Sequence, residues 1–380
     1  MKLALVHEWL VTHAGSEKVV EAILEKHPTA PIYTAVHDPS KFKGTLFEGA
    51  TVHPSFVQRL PRGVEKYQRY LPLLPLAVEQ HDLSDAEVIV SSHHAVAKGA
   101  RTRADQLHLS YVHTPMRYAW DLQEQYLKES GLDRGFKGNL ARAILHYLRI
   151  WDTTAANRVD VFMANSQYVA RRIWRTYRRP AKVIYPPVDV DRFEARAQRD
   201  DFFLAMSRLV PYKKLDLIAR TFTELGLPLV IIGDGPDFEK IKAVSGSNVT
   251  LLGRQPDSVV QDHMARCRAF IFAADEDFGI TTVEAQAAGA PVLAYGKGGS
   301  LEIVQDGKTG FFFPEQTTQS LKAAVQEFMD GPKLDSLYIQ AQAQRFSKAR
   351  FQQEFEDLLE QSWTLFQQHQ DPEQLLLKRP

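Results

Sequence analysis

The sequence predicts an α/β protein of two doubly wound, parallel-sheet domains that face one another across a cleft. Three observations carry that expectation. Short apolar runs rich in Val, Ile and Phe alternate with segments of helical period along the chain. The series pauses and restarts near residue 200. The pause itself, "VIYPPVDVDRFEARAQRDD", joins a Pro-Pro pair to a charged, poorly periodic tail. Strand–helix alternation implies parallel sheets with helices on both faces, and a break of this composition reads as an interdomain connection.

The elements follow in order. "LALVHEWL" reads as a strand and precedes the helix "SEKVVEAILEKH", where Val20, Ile23, Leu24 and His27 fall at helical spacing. "AEVIVSSH", "LHLSYVH" and "VDVFMANS" each read as a buried strand running into a loop, the last followed by the helix "QYVARRIWRTY". After the break come "FFLAMSRL" with the helix "KLDLIARTFTEL", and "LPLVIIGDG" with "DFEKIKAVS". The strands "NVTLLGR", "RAFIFAAD", "APVLAYG" and "TGFFFP" complete the second series. These divisions give a first domain over residues 1–190, a second over 191–345, and a final helical segment, 346–380, that can pack on either domain, including back onto the first. Ligands are expected at the carboxyl ends of the strands.

Composition narrows the classes. A chain of 380 residues with 44% hydrophobic and 24% charged residues can bury full cores. Its 46 basic and 46 acidic residues cancel, so any anion site is local and no nucleic-acid partner is indicated. The single cysteine, Cys267, excludes an intrachain disulfide and a cysteine metal cluster, and fits a reducing compartment. The start, "MKLALVHEWLVTHAGSEK", is interrupted by His7 and Glu8 and does not read as a signal peptide. No uncharged apolar run reaches 18 residues, so no membrane-spanning helix is expected. The expected location is the cytoplasm, with attachment at the inner membrane face as an extension of it.

Chemistry concentrates in "DEDFGITTVEAQAAGAPVLAYGKGGS", residues 275–300. Glu276 follows a buried strand between Asp275 and Asp277, where adjacent carboxylates repel and need a partner. Phe278-Gly279 lets backbone pass close to that partner, and the helix start at Ile280 and Thr281 offers free N–H groups to a phosphate or sugar oxygen. Glu284 has a bland reading of equal standing: Thr281-Thr-Val-Glu284 has capping-box spacing. Gly289 suits a left-handed helix end. The Asp275-Glu276-Asp277 run also spells D-x-D, a weak metal signature; no metal site is expected. Arg208 and Lys213 flank a Pro211 turn after "FFLAM", where two cations can grip a diphosphate; a solvated basic turn has the same spacing.

Glu276-x7-Glu284 inside "EDFGITTVEA", followed by "AAGAPVLAYGKGG", resembles the E-x7-E signature of retaining glycosyltransferases of the GT-B fold, in particular glycosyltransferase family 4. "MSRLVPYKKLD" is similar to the family's Arg…Lys segment, "VIIGDGP" with Gly233 to its Gly-Asp-Gly-Pro turn, and "LEIVQDGKTGFFF" to the close of its nucleotide domain. "HTPMRYAWD", "ANSQYVARRI" and "VIYPPVD" resemble bacterial mannosyltransferases of polysaccharide and O-antigen assembly. The resemblance implies two Rossmann-like domains and retaining transfer of a hexose, mannose from GDP-mannose foremost, to a saccharide or lipid-linked saccharide. It implies no cofactor beyond the nucleotide-sugar substrate. By the same likeness Glu284 would hold ribose hydroxyls, Glu276 the transferred sugar, and amides near Gly279 and Ile280 the diphosphate. Gly15 would lie in a glycine loop touching phosphate, although Ala14-Gly15 stands where the family often has Gly-Gly, and Ser16 alone reads as a helix cap. His113, at the end of "LHLSYV", matches the family's sugar-binding histidine; Lys98 and His93-His94 end a neighbouring strand.

Two basic stretches, "RRIWRTYRRPAK" and "RLPRGVEKYQRYLPLLPL", mix cations with Trp, Tyr and Leu. They suit an anionic membrane surface and equally a solvated helix face. Two other functions fit the same domains: a nucleotide-sugar epimerase, which needs no acceptor, and a nucleotide-sugar-binding protein without turnover.

Overall fold

The computed structural model describes residues 1–196 and 198–377. The chain divides into two compact units, Met1–Tyr185 with Phe351–Pro380, and Pro186–Arg350. These divisions fall within about five residues of the 190 and 345 boundaries read from the sequence.

The first unit is built on seven strands: β1 (Leu3–His7), β2 (Ile32–Thr34), β3 (Val52–Pro54), β4 (Val88–His93), β5 (Leu107–Val112), β6 (Val161–Ala164) and β7 (Lys182–Val183). All pairings are parallel, in the order β3-β2-β1-β4-β5-β6-β7. Strands covered on both faces carry continuous apolar runs, and side chains alternate between the faces. Leu3 and Leu5 of β1 accordingly enter one core and Ala4 and Val6 the other. The first of these cores also takes in Phe351, Phe355, Leu358 and Leu359 from the helix Lys348–Gln367, at the spacing that places them on one helical stripe.

The second unit repeats the plan with β8 (Phe203–Met206), β9 (Leu229–Ile232), β10 (Val249–Gly253), β11 (Ala269–Phe272), β12 (Val292–Tyr295) and β13 (Gly310–Phe313). They pair in parallel in the order β10-β9-β8-β11-β12-β13. Phe203, Ile218, Phe222, Ile271, Leu321 and Val325 belong to the core on one side of this sheet. In both units the strand order reverses once, between β1 and β4 and between β8 and β11. Strand ends at such a reversal diverge and leave a crevice for ligands.

The segment expected to connect the domains is a strap fastened to the second unit. Val188 pairs with the backbone of Phe346 and Lys348. Asp191 accepts from Gln344 at 3.1 Å. The Arg199 guanidinium donates to the carbonyls of Met264, Ala265, Cys267 and Ala288 at 2.7–3.2 Å. Cys267 is buried, and burial pushes its thiol up to about 12.

At the reversal in the first unit, the fully buried Glu8 carboxylate accepts N–H groups of His94, Ala95, Val96 and Ala97 at 2.7–3.0 Å, and His93 Nδ1 lies 3.2 Å away. Burial would raise this carboxyl's pKa. The His93 hydrogen bond, the neighbouring imidazoles and the amides outweigh it and hold the group far below the usual range. A depressed folded-state pKa stabilises above the unfolded value near 4.5 and loses that contribution as pH falls. Glu8→Gln is expected to cost at least about 2 kcal/mol at pH 7. Its deficit against wild type should shrink as pH drops below about 4.5, measured by urea unfolding at stepped pH.

Candidate functional site

The reversal in the second unit gathers most of the residues singled out in the sequence. β8 runs out into Ser207 and Arg208, then a single 3-10 turn, Pro211–Lys213. β11 runs out into Ala273 and Ala274, then Asp275 and Glu276. The two exits meet: Lys213 Nζ is in direct ion-pair contact with Glu276 Oε1. The Lys213 ammonium also lies 5.3 Å from the Tyr212 ring and 6.0 Å from the Phe272 ring. Asp275 is met in turn by Lys297, at 2.9 Å. Two of the carboxylates that spell D-x-D thus each face a lysine.

Glycines hold these exits close to their neighbours. Gly233, after β9, has φ +145°, and a Cβ on it would lie 1.9 Å from the Ser207 carbonyl oxygen. Gly235 stands likewise against Leu209, and Leu209 N–H donates to the Asp234 carbonyl at 3.0 Å. On the other side Gly299 N–H donates to the Glu276 carbonyl at 2.8 Å, and a Cβ on Gly298 would reach 2.2 Å from that same oxygen. Backbone takes the space a side chain would need, which seats the Arg208 and Glu276 turns on a rigid frame.

The helix after Glu276 begins differently from the sequence reading. Gly279, at φ +103°, is the residue before its first turn, and the helix runs Ile280–Ala287. Thr281 is therefore inside the helix and is not its cap, and Glu284 lies beyond the third position that a capping box requires. The reason is steric: Gly279 tolerates the left-handed conformation that turns the chain into the helix. First-turn N–H groups, those of Ile280 and Thr281 included, have no acceptor within the helix. The Glu284 carboxylate is instead paired with Arg192 of the strap, Oε1 to Nη2 at 2.6 Å. Gly289, at φ +69°, follows the helix in the left-handed conformation expected of it.

Of the remaining expected residues, Arg208 leaves β8 beside this cluster, while Gly15, His113 and Lys98 belong to the first unit. Arg208 is exposed and makes no side-chain hydrogen bond or ion pair among the described residues. Gly15 opens the helix Gly15–Leu24, whose cap residue is Ala14, so Ser16 is not the cap. Ala14 is extended (φ −137°) and needs no glycine there. Its N–H donates to Glu17, whose carboxylate also meets Ser16 and, at 3.2 Å, His7. Burial opposes that ionised state, and the His7 and Ser16 hydrogen bonds overcome it, bringing Glu17 down to about 2. His113 follows β5, with Nε2 2.9 Å from Ser92 Oγ and its ring near Tyr111 and His94. Burial, reinforced by His94 and His7, holds its pKa well below the ordinary value, so the ring is neutral at pH 7. Lys98 is fully buried against Asp152, which also accepts from Trp120 and Tyr177 at 2.8 and 3.0 Å. That role is structural.

Sequence reasoning missed Arg192 and Lys297. Neither lies at a helical or strand spacing from the carboxylate it meets, so no local period marks either. A prediction follows from the glycine frame: Gly233→Ala should lose at least about 2 kcal/mol in chemical denaturation, because backbone must shift to admit a Cβ.

Comparison with known proteins matches the glycosyltransferase family 4 pattern to residues 15–192 and the group 1 glycosyl transferase pattern to residues 189–345. An uncharacterized glycosyltransferase of Methanocaldococcus jannaschii is 27% identical over 185 residues, covering 47% of this chain and 52% of that protein. The GDP-mannose-dependent alpha-(1-6)-phosphatidylinositol monomannoside mannosyltransferase of Mycobacterium tuberculosis is 30% identical over 222 residues, covering 50% and 56%. The chain thus spans about half the length of these curated relatives. Among solved structures, Anabaena HepE with UDP aligns at TM-score 0.68 with 18% identity, covering 95% of this chain and 100% of that one. Sucrose-phosphate synthase of Thermosynechococcus elongatus aligns at 0.71 with 15% identity, covering 96% and 100%; at these identities the likeness speaks for the fold. The chain has the two-domain GT-B fold, its first domain similar to the glycosyltransferase family 4 pattern and its second to the group 1 glycosyl transferase pattern.

Proposed function

We propose that the protein is a retaining hexosyltransferase that takes its sugar from a nucleoside-diphosphate donor, GDP-mannose foremost, and passes it to a saccharide or lipid-linked saccharide. The observation that carries this reading is the Lys213–Glu276 pair, held at the strand-order reversal beside the Gly279 helix start. The M. tuberculosis relative named GDP-mannose-dependent supports the choice of donor; HepE, solved with UDP, keeps uridine donors in the test.

In this reading an arriving diphosphate competes with Glu276 for Lys213, joined by the uncommitted Arg208 and the first-turn amides at Ile280 and Thr281. Each charge-assisted hydrogen bond contributes about 1.5–3 kcal/mol. Glu276, released, accepts hydroxyls of the sugar, and Glu284 those of the ribose. As the glycosidic C–O bond to phosphate breaks, its electron pair stays with the diphosphate, where Lys213 and Arg208 stabilise it. The acceptor hydroxyl oxygen forms the new C–O bond on the same face and gives its proton to the departing phosphate oxygen. Neutral His113 can accept or donate a hydrogen bond to a sugar hydroxyl. The positive charge comes from side chains, so the reaction is proposed to need no metal.

The same reading extends to the surface. The helix Gly135–Ala155 turns Phe136, Leu140, Tyr147 and Ile150 outward, Phe136 at 85% exposure. Trp174 is likewise exposed on Gln167–Tyr177, beside Arg171 and Arg175. We assign these faces to contact with an anionic membrane. Two of the cations in that basic stretch are already engaged, Arg172 by Asp121 and Arg179 by Glu373.

Glu276→Ala should keep the wild-type melting temperature within a few degrees and lower transfer at least about 1,000-fold. This is read as nucleoside diphosphate release with acceptor present, and near-wild-type turnover would overturn the assignment. Thermal shifts with GDP-, UDP- and ADP-sugars should single out GDP-mannose, unchanged by EDTA. Sedimentation with anionic vesicles should fall at high salt and in a Phe136→Ser/Ile150→Ser variant.

A further inference from the structure

Arg192 lies in the stretch that reads from sequence as a mere connection, yet its guanidinium grips the Glu284 carboxylate. Its Nη2 is 2.6 Å from Glu284 Oε1 and its Nη1 is 3.1 Å from Asp257 Oδ2. The guanidinium lies 4.6 Å from the ring of Phe193, a residue only 3% exposed whose carbonyl accepts from Gln340 at 3.2 Å. Arg192 is therefore pinned along its length: one end on an exposed acid, one face on an anchored ring, the other end on a carboxylate that is itself 6% exposed. A planar fork with two fixed ends leaves the carboxylate it grips little rotational freedom. Arg192 Nε is buried without an acceptor, so the two carboxylates do not exhaust its donors.

We propose that Arg192 is a positioning residue for nucleotide recognition: it orients the Glu284 carboxylate so that its oxygens accept the ribose 2′- and 3′-hydroxyls of a nucleoside diphosphate. The inference rests on the donor reading above and adds to it the residue that makes Glu284 selective. A carboxylate oxygen has two lone-pair sites, so Arg192 can hold Oε1 while that oxygen still accepts a hydroxyl. Without the guanidinium, Glu284 keeps its charge but loses its fixed rotamer, and hydroxyl recognition is lost before phosphate recognition.

The test is titration calorimetry of the full chain with GDP and 2′-deoxy-GDP, and with UDP and 2′-deoxy-UDP. Wild type is expected to prefer the ribonucleotide of whichever base it binds by roughly 10- to 100-fold. In Arg192→Ala that preference should fall to within about threefold, with affinity for the 2′-deoxy nucleotide changed less than the preference. Arg192→Lys, which keeps the charge but cannot bridge both acids, should fall between, as should Asp257→Ala, which frees the far end of the guanidinium without touching Glu284. A merely structural role would weaken both nucleotides alike and leave the ratio intact. A wild-type ratio in folded Arg192→Ala, or in Arg192→Lys and Asp257→Ala should the alanine variant not fold, overturns the inference while the donor reading stands, provided Glu284→Gln abolishes the ratio. A Glu284→Gln variant that keeps the full ratio overturns the ribose assignment, and this inference with it.

Discussion

Both units depend on one constraint: a parallel sheet whose strand order reverses must leave two neighbouring strand ends without a covering helix between them. Polar groups collect there because backbone amides and carbonyls at those ends need partners. The chain answers that need in opposite ways. In the first unit Glu8 is clasped by four consecutive amides and an imidazole at full burial. The amides are backbone, fixed in place, the imidazole is fully buried, and no solute can displace them. In the second unit the carboxylate at the reversal, Glu276, follows the other of the two strands and meets the end of a lysine side chain. A lysine is a flexible stem with a point charge and can exchange one anion for another. The same fold thus yields an inert clamp in one half and an exchangeable pair in the other.

Rigidity around the exchangeable pair comes from backbone packed against backbone. Gly233 and Gly235 press on the Ser207–Leu209 exit, and Gly298 and Gly299 on the Glu276–Phe278 turn. Two mobile charges are therefore carried on two immobile turns. A site built this way can change its ion pairing without moving its main chain, which keeps the reorganisation on ligand entry confined to side chains.

Much of this was legible in the sequence, and what was not has physical reasons. Ten of the strands announce themselves as apolar runs. The others, β2, β3 and β7, have three, three and two residues and lie toward the edges of their sheet; segments this short show no apolar run even where, as in β2, they are buried. Glu276 and Lys213 stood out because each lies near a strand exit beside a Pro or Gly. The Thr281 capping box failed because glycine at 279 starts the helix earlier than a hydroxyl cap would. Arg192 was invisible for a different reason: its segment has no periodicity, and its order comes from anchors distant in sequence, Glu284, Asp257 and, through Asp191, Gln344.

The formal charge of the chain is zero, and three of the carboxylates in the site are likewise each met by a cation. Glu276 is met by Lys213, Asp275 by Lys297 and Glu284 by Arg192, the first and last pairs joining segments far apart in the chain. Paired charges exert little long-range pull on an anion, so on the proposed donor reading affinity would come from exchange. The three pairs differ in what exchange would cost. Arg192 has a second carboxylate and a ring to hold it, and Lys297 is half exposed and stays hydrated. Lys213 is largely buried between aromatic rings with a flexible stem. Its charge is the one that gains most from a second anion nearby, since interactions strengthen where water is excluded. On the proposed donor reading, Arg208, exposed and without a side-chain partner among the described residues, would supply the positive charge that admits a diphosphate without stripping Glu284 of its partner.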